Sequence, residues 1–352
     1  MDKKRVIVIT ETLPHYRVGL YNLLGEEYDL TIAHSNGEVK GGNFKQIEIT
    51  KSFIGPFISL KNLPELALYD VVIMTFNIRI INCYKLVFTK RKFKLLFHGI
   101  GVSASYNNLY DQSKALDSIR KFFIKKSDGA IFYEQYPLIK YQSHKIDSAK
   151  LHVAYNTVLA PEFFDFTKKT YESLIFIGAL YKQKKIYDLL EAYLEFTKQC
   201  DKECPKLEII GNGEEYDNIT LWISDNELTK KVILHGKITD EVKLKTIFLR
   251  AIVTISPGQA GLSVQKSFSF GVPYVTSKLA ITGGELFSII DNTNGFLYDG
   301  KVSNLTAILL KINTNTFNIR EVSENAYVFY QKFRNPKIWL SGFIKAIDNA
   351  YV

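Results

Sequence analysis

Ser256-Pro257-Gly258-Gln259-Ala260-Gly261-Leu262-Ser263, running on to Phe270-Gly271-Val272-Pro273-Tyr274-Val275-Thr276, is the stretch on which the fold turns. The apolar residues before it, Ile252 to Ile255, read as the end of a buried strand. A glycine-containing turn and a short helix follow. Gly271-Val272-Pro273 then stops the helix and opens another strand. A turn of this kind aims backbone N–H groups at a phosphate or a sugar, and the positive end of the helix dipole favours the negative charge.

The same rhythm extends outward in both directions. Ser173 to Ile177 reads as a strand ending at Gly178, and Ile186 to Phe196 as an amphipathic helix. Leu207 to Ile210 ends in Gly211-Asn212-Gly213, and Val232 to His235 ends at Gly236. Thr239 to Leu249 is a helix capped by Thr239 or Asp240. Tyr274 to Thr276 and Gly295 to Tyr298 complete this half. Glycine at the carboxyl end of a strand lets backbone approach a ligand, and ligands of open α/β sheets sit at those ends. In the first half, Arg5 to Thr10, Leu30 to Ala33, Val71 to Thr75, Leu95 to Phe97, Gly129 to Tyr133 and Leu151 to Ala154 read as strands, with a helix over Val18 to Leu24. Continuous apolar strands separated by helices predict parallel sheets covered on both faces.

The alternation breaks between Asn156 and Thr170, which reads as a linker. The expected organisation is α/β, with two Rossmann-like domains facing a cleft: residues 1–160, residues 171–335, and a last helix over 336–352 returning toward the first domain. A break near Asn335-Pro336 divides the final helical stretch.

At 352 residues, 46% hydrophobic and 23% charged, the chain is globular and long enough for two cores. The best transmembrane candidate, Val71 to Phe88, is interrupted by Asn77, Arg79, Asn82 and Lys85. Lys3-Lys4-Arg5 precedes only the short apolar run Val6 to Ile9, which is a first strand rather than a signal-peptide core. A cytoplasmic location follows, and three cysteines with no ligand cluster around Cys200-x-x-x-Cys204 agree with it.

The net charge of +9 concentrates in Lys90-Arg91-Lys92-x-Lys94 and Arg120-Lys121-x-x-x-Lys125-Lys126. The second group lies on a helix with Leu116, Ile119, Phe122, Phe123 and Ile124 interleaved. Two readings stand: a solvated basic face, or a peripheral surface that meets the phosphates of an anionic membrane. No nucleic-acid-binding motif accompanies the charge, so nucleic acid is not an expected partner.

Taken in order, these segments resemble the donor-binding half of family 4 glycosyltransferases of the GT-B fold. Phe176-Ile177-Gly178-Ala179-Leu180 with Lys184-Lys185 is similar to the first strand, loop and helix of that half. In the family a Gly-Arg pair and a lysine hold the nucleotide diphosphate. The lysine falls on Lys184, but the arginine position is Ala179. A pair of family glutamates, one near the sugar and one on the ribose, falls on Gly258 and Lys266. Lysine offers no acceptor to ribose hydroxyls. A branch of the superfamily found in bacterial surface-polysaccharide gene clusters also lacks the pair and carries Pro-Gly-x-x-Gly-Leu-(Ser/Thr), which Pro257 to Ser263 resembles closely. The resemblance thus implies sugar-donor contacts at Gly178, Lys184, Gly211, Gly213, Gly258, Gly261, Leu262, Ser263 and Lys266. Glu285 resembles the downstream glutamate of that branch; it either supplies a catalytic carboxylate or caps a helix. In the first half, Pro14-His15-Tyr16-Arg17 resembles the loop before the first helix, which implies acceptor or phosphate contacts for His15 and Arg17. His98, in Phe97-His98-Gly99-Ile100-Gly101, matches a family histidine that touches the donor sugar and is the second catalytic candidate.

Asp-x-Asp, His-Glu-x-x-His, the P-loop and Gly-x-Ser-x-Gly are all absent from the sequence. No metal and no cofactor is expected. The resemblance implies a retaining transfer from a nucleotide-sugar to a glycan or lipid-linked glycan at the inner face of a bacterial membrane. Two alternatives remain at this level: a catalytically silent partner that binds nucleotide or glycan, and a nucleotide-sugar 2-epimerase.

Overall fold

The computed structural model describes residues 3–105, 109–160, 164–200 and 204–351. The chain divides into two compact units. One comprises Met1–Ser103, Asp111–Leu159 and Arg334–Val352; the other comprises Ala104–Tyr110 and Ala160–Phe333.

The first unit opens with β1 (Arg5–Ile9), α1 (His15–Glu27), β2 (Asp29–His34) and β3 (Lys45–Glu48). A hairpin, β4 (Thr50–Ile54) and β5 (Phe57–Lys61), follows. Then come β6 (Val71–Thr75), α2 (Ile81–Phe88), β7 (Lys94–Gly99), α3 (Asp117–Lys126), β8 (Gly129–Phe132), α4 (Gln135–Ser143) and β9 (Leu151–Val153). Seven strands form one parallel sheet in the order β3-β2-β1-β6-β7-β8-β9. The apolar strands are read from both sides. Ile7, Ile9, Val72, Met74 and Phe97 face one core with α2 and α3. Val6, Val8, Leu30, Ile32 and Ile73 face the other with α1. Period-two alternation of side chains turns one continuous apolar run into two cores. The sequence reading missed β3 and the hairpin. Lys45-Gln46-Ile47-Glu48 is a polar edge strand, and the hairpin lies outside the sheet, so neither carries a buried run.

The second unit runs through β10 (Ser173–Ile177), α5 (Ile186–Gln199), β11 (Lys206–Ile210), α6 (Tyr216–Asp225), β12 (Val232–Gly236), α7 (Glu241–Arg250) and β13 (Ala251–Ile255). It continues through β14 (Gln259–Ala260), α8 (Leu262–Ser269), β15 (Tyr274–Ser277), β16 (Ile281–Thr282), β17 (Gly295–Tyr298), α9 (Val302–Asn313) and α10 (Ile319–Phe333). Its six-stranded parallel sheet has the order β12-β11-β10-β13-β15-β17. Strand order reverses at β10, between β11 and β13. The carboxyl ends of β10 and β13 therefore flank the crevice where such sheets hold ligands. Asp240 caps α7, accepting from Val242 N–H at 2.8 Å and Lys243 N–H at 3.3 Å.

The last helix, α11 (Pro336–Asn349), belongs to the first unit. Asn335 caps it, accepting from Lys337 N–H at 2.9 Å and Ile338 N–H at 3.2 Å, with Pro336 in the first turn. Trp339, Phe343, Ala346 and Ile347 complete the core shared with α1. Arg334, just upstream, donates to both oxygens of buried Glu134 at 3.1 and 3.2 Å. Among the described residues no helix is long and apolar enough to cross a membrane.

Candidate functional site

In the second unit the loops after β10, β11 and β13 interlock through their backbones. Leu180 N–H donates to Asn212 O at 3.0 Å, and Glu215 N–H to Leu180 O at 3.1 Å. Gly258 N–H donates to Lys184 O at 3.1 Å. These contacts explain the glycines. A Cβ on Gly211 would lie 1.8 Å from Gly178 O, and one on Gly258 would lie 2.1 Å from Gln183 O. The glycines at these strand ends thus admit a neighbouring loop, whereas the sequence alone suggests room for a ligand.

The interlock fixes Lys184. Its side chain is buried against Gly178, where an added Cβ would lie 3.3 Å from Nζ. Burial pushes the Lys184 ammonium down to about 8, against the pull of the Glu285 carboxylate. Glu285 reaches this neighbourhood because β14 pairs with β16, and Ile281 N–H donates to Gly258 O at 2.9 Å. The Glu285 carboxylate accepts from Gly283 N–H at 3.0 Å and from the Thr282 hydroxyl at 3.3 Å, so it closes its own turn. It is also buried.

Gly261 is the N-cap of α8, and the first turn of any helix leaves N–H groups without intrahelical partners. Leu262 and Ser263 form that turn; the Ser263 hydroxyl is 2.7 Å from the Tyr274 hydroxyl. Lys266, in the last turn of α8, pairs with Glu241 at 2.8 Å and lies over the Phe270 ring. A carboxylate therefore stands beside Lys266 after all, but it comes from the first turn of α7. The sequence reading did not find Glu241, although an acidic residue in a helix's first turn after a strand ending in glycine was a visible signal. Tyr181, whose hydroxyl donates to Gln259 Oε1, was missed as well. Gly213 packs on Leu180 O in the same cluster. The structure thus brings Gly178, Lys184, Gly211, Gly213, Gly258 and Glu285 into one loop cluster. Gly261, Leu262 and Ser263 follow directly on it, and Lys266 sits at the far end of α8.

The first unit holds the other candidates. His98 ends β7, buried, with its ring edge-on to Tyr133 at 4.9 Å and Phe343 at 4.7 Å. Burial, and then the nearby Arg17 cation, hold its pKa well below the ordinary histidine value, so the ring is neutral. Its Nε2 has no hydrogen-bond partner among the described residues. An unsatisfied buried polar atom is costly and rare enough to ask for a reason. Arg17 donates to Asn156 Oδ1 at 3.1 Å and to the Tyr133 hydroxyl at 3.4 Å. Tyr133 thus links Arg17 to His98, a role that sequence reasoning missed. His15 stands apart, exposed beside Tyr16.

Residues 161–328 match the family model described as glycosyl transferases group 1. The poly(glycerol-phosphate) alpha-glucosyltransferase of Bacillus subtilis (strain 168) is 24% identical over 242 residues, covering 67% of this chain. The chain spans only 33% of that relative's length. Among solved structures, the pneumococcal O-GlcNAc transferase GtfA, in complex with UDP and GlcNAc, superposes with a TM-score of 0.70 at 13% identity, covering 100% of both chains. TarM of S. aureus, in complex with Fondaparinux, alpha-GlcNAc-glycerol and UDP, gives 0.58 at 19% identity, over 79% of this chain and 55% of TarM. At these identities the structures establish the fold, and the sequence match concerns the second unit: residues 161–328 match the glycosyl transferases group 1 family, in a chain with the GT-B fold.

Proposed function

We propose that the chain transfers a sugar from a nucleotide-sugar to a glycan or lipid-linked glycan in the synthesis of a bacterial surface polysaccharide. The observation that carries this reading is the loop cluster at the carboxyl ends of β10 and β13, where buried Lys184 stands beside the turn leading into α8. A nucleoside diphosphate fits such a place. The ammonium supplies a point charge, and the N–H groups of the first turn of α8 supply fixed donors. When the bond between the sugar and the phosphate breaks, negative charge collects on the departing diphosphate. Lys184 and these donors would stabilise that charge without reorganising. Neutral His98, whose Nε2 has no hydrogen-bond partner among the described residues, is suited to accept from or donate to a sugar hydroxyl. Arg17 and His15 are assigned to the acceptor or its phosphate, and Glu285 to the electrostatics of the reacting centre. Transfer with retention, without a metal ion, and at the inner face of a membrane belongs to the same proposal. Its support is the family resemblance of the second unit and the names of the similar proteins, which concern glycans or their glycosylation.

Calorimetric titration with UDP, GDP, ADP and TDP, first without metal and then with magnesium, tests it. The expected result is saturable binding of one nucleotide without metal, followed by transfer from the matching nucleotide-sugar. A second reading is favoured by Ala179, Gly258 and Lys266 standing where the family has an arginine and two glutamates. In that reading the chain is a silent partner of an active transferase. Absence of nucleotide binding in every condition would select it.

A further inference from the structure

We propose that Tyr274 is a positioning residue that orients the Ser263 hydroxyl to donate to a phosphate oxygen of the nucleotide; this rests on the reading above that a nucleoside diphosphate lies at the first turn of α8. Tyr274 opens β15 and is fully buried, its ring packed in a core with Ala260, Val264 and Phe268. Ala260 belongs to β14 and the other two to α8, so the ring touches the elements on both sides of Gly261. Close packing makes its hydroxyl a fixed point for the turn between them. An apolar residue would open β15 equally well, and a buried hydroxyl is costly unless it is bonded, so this one asks for a use.

The surroundings of that hydroxyl set which way the protons run. Ser263 Oγ lies 2.7 Å from it and Gln259 O 3.4 Å. Gln259 O is already served, because the buried Ser256 hydroxyl donates to it at 2.9 Å. The shorter contact has the ordinary length of an O–H···O bond, and the longer one is at the limit. A phenol is also a better donor than an aliphatic hydroxyl, since it is the more acidic of the two. Tyr274 therefore donates to Ser263, and the Ser263 proton is left for another acceptor. Burial pushes the Tyr274 hydroxyl up to about 12, with the Glu285 carboxylate acting in the same direction, so the phenol keeps its proton.

Ser263 is half-buried, and its hydroxyl has no other hydrogen-bond partner among the described residues. It stands in the first turn of α8, behind an N-cap, Gly261, that offers no capping side chain. A hydroxyl that accepts from a phenol is polarised toward donating in turn. Together with the N–H groups of this turn it makes a set of donors, and the partner such a set favours is an anion.

The experiment is calorimetry on wild type, Tyr274→Phe, Ser263→Ala, the double variant and Ser263→Thr. Each is titrated with the nucleoside diphosphate selected from UDP, GDP, ADP and TDP, and with the corresponding nucleoside. Ser263→Ala should weaken diphosphate binding about tenfold and Tyr274→Phe about fivefold. The double variant should bind no more weakly than Ser263→Ala, because Tyr274 acts through Ser263. Ser263→Thr, which keeps a hydroxyl, should stay within about twofold of wild type. Nucleoside binding should be the same in all five proteins, which a general loosening of the loop would not allow. Additive losses in the double variant, or equal losses for nucleoside and diphosphate, would overturn the proposal and leave the donor reading standing. Absence of diphosphate binding by wild type would overturn both.

Discussion

The two units hold the ends of their strands together by different means. In the second, loop meets loop through backbone, with Gly211 against Gly178, Gly213 against Leu180, and Gly258 against Gln183 and Lys184. In the first, backbone bonds such as Phe76 N–H to His98 O are joined by a side-chain network: Arg17 bonds Asn156 and Tyr133, and Tyr133 lies against His98. Backbone contacts tolerate no added atom and few sequences. Side-chain contacts can be rebuilt in many ways. The contrast teaches which half of such a molecule can be re-specified, since the side-chain network can change without breaking its loops.

The harshest test of this contrast is Gly211→Ala. The new methyl would meet Gly178 O at 1.8 Å, on a backbone with φ +154°. Urea unfolding of the variant should show a loss of about 3 kcal/mol, and nucleotide binding should vanish with it. Stability within error of wild type would mean that the loops are not interlocked in solution.

Lys184→Met comes next. The variant should bind nucleoside diphosphate about tenfold to a hundredfold more weakly, because a charge-assisted contact is removed from a buried place. The pH profile sharpens the point. Free Lys184 titrates near 8, so below that pH the ammonium is already present and affinity is flat. Above it, binding must take up a proton, and affinity should fall by up to about tenfold per pH unit. Lys184→Met should show no such fall; a fall of equal size in the variant would assign it to another group.

Arg17→Leu probes the side-chain half. It should lower kcat by about tenfold while KM for the sugar donor and the melting temperature change little, since a partly buried network is loosened rather than a core emptied. An equal rise in the donor KM would place Arg17 with the nucleotide instead. Smallest of all, Tyr181→Phe removes one side-chain hydrogen bond from a cluster otherwise held by backbone. A change in nucleotide affinity of at most about threefold is expected by calorimetry. A larger loss would mean that side chains matter there too.

The legibility of the molecule follows the same divide. Strands such as Ile252 to Ile255 announce themselves because both faces are buried and the run ends at a turn residue. Asn335-Pro336 announces a helix start by its chemistry alone. Lys184 was singled out through the resemblance of its glycine-ended strand and following lysine to a known family, and both lie in one short segment. Tyr133 and Tyr181 were not readable, because each meets its partner from a different element and leaves no period in the sequence. The hairpin escaped for the opposite reason: its apolar residues are exposed at one end and buried at the other, so no single face repeats. The glycines were found but explained differently, since spacing cannot distinguish a loop that approaches a ligand from a loop that approaches another loop.

The place of α11 sets an order of events during synthesis. The first unit needs Arg334–Val352, yet the ribosome must deliver all of Ala160–Phe333 before that segment emerges. Until it does, the seam that Trp339 and Phe343 will fill stays open to water, and Glu134 waits for Arg334. The second unit, continuous apart from Ala104–Tyr110, can fold in that interval. The half that begins the chain is therefore the half that finishes last. A nascent chain arrested before residue 334 would present an unfinished apolar groove to chaperones while its second unit is already folded.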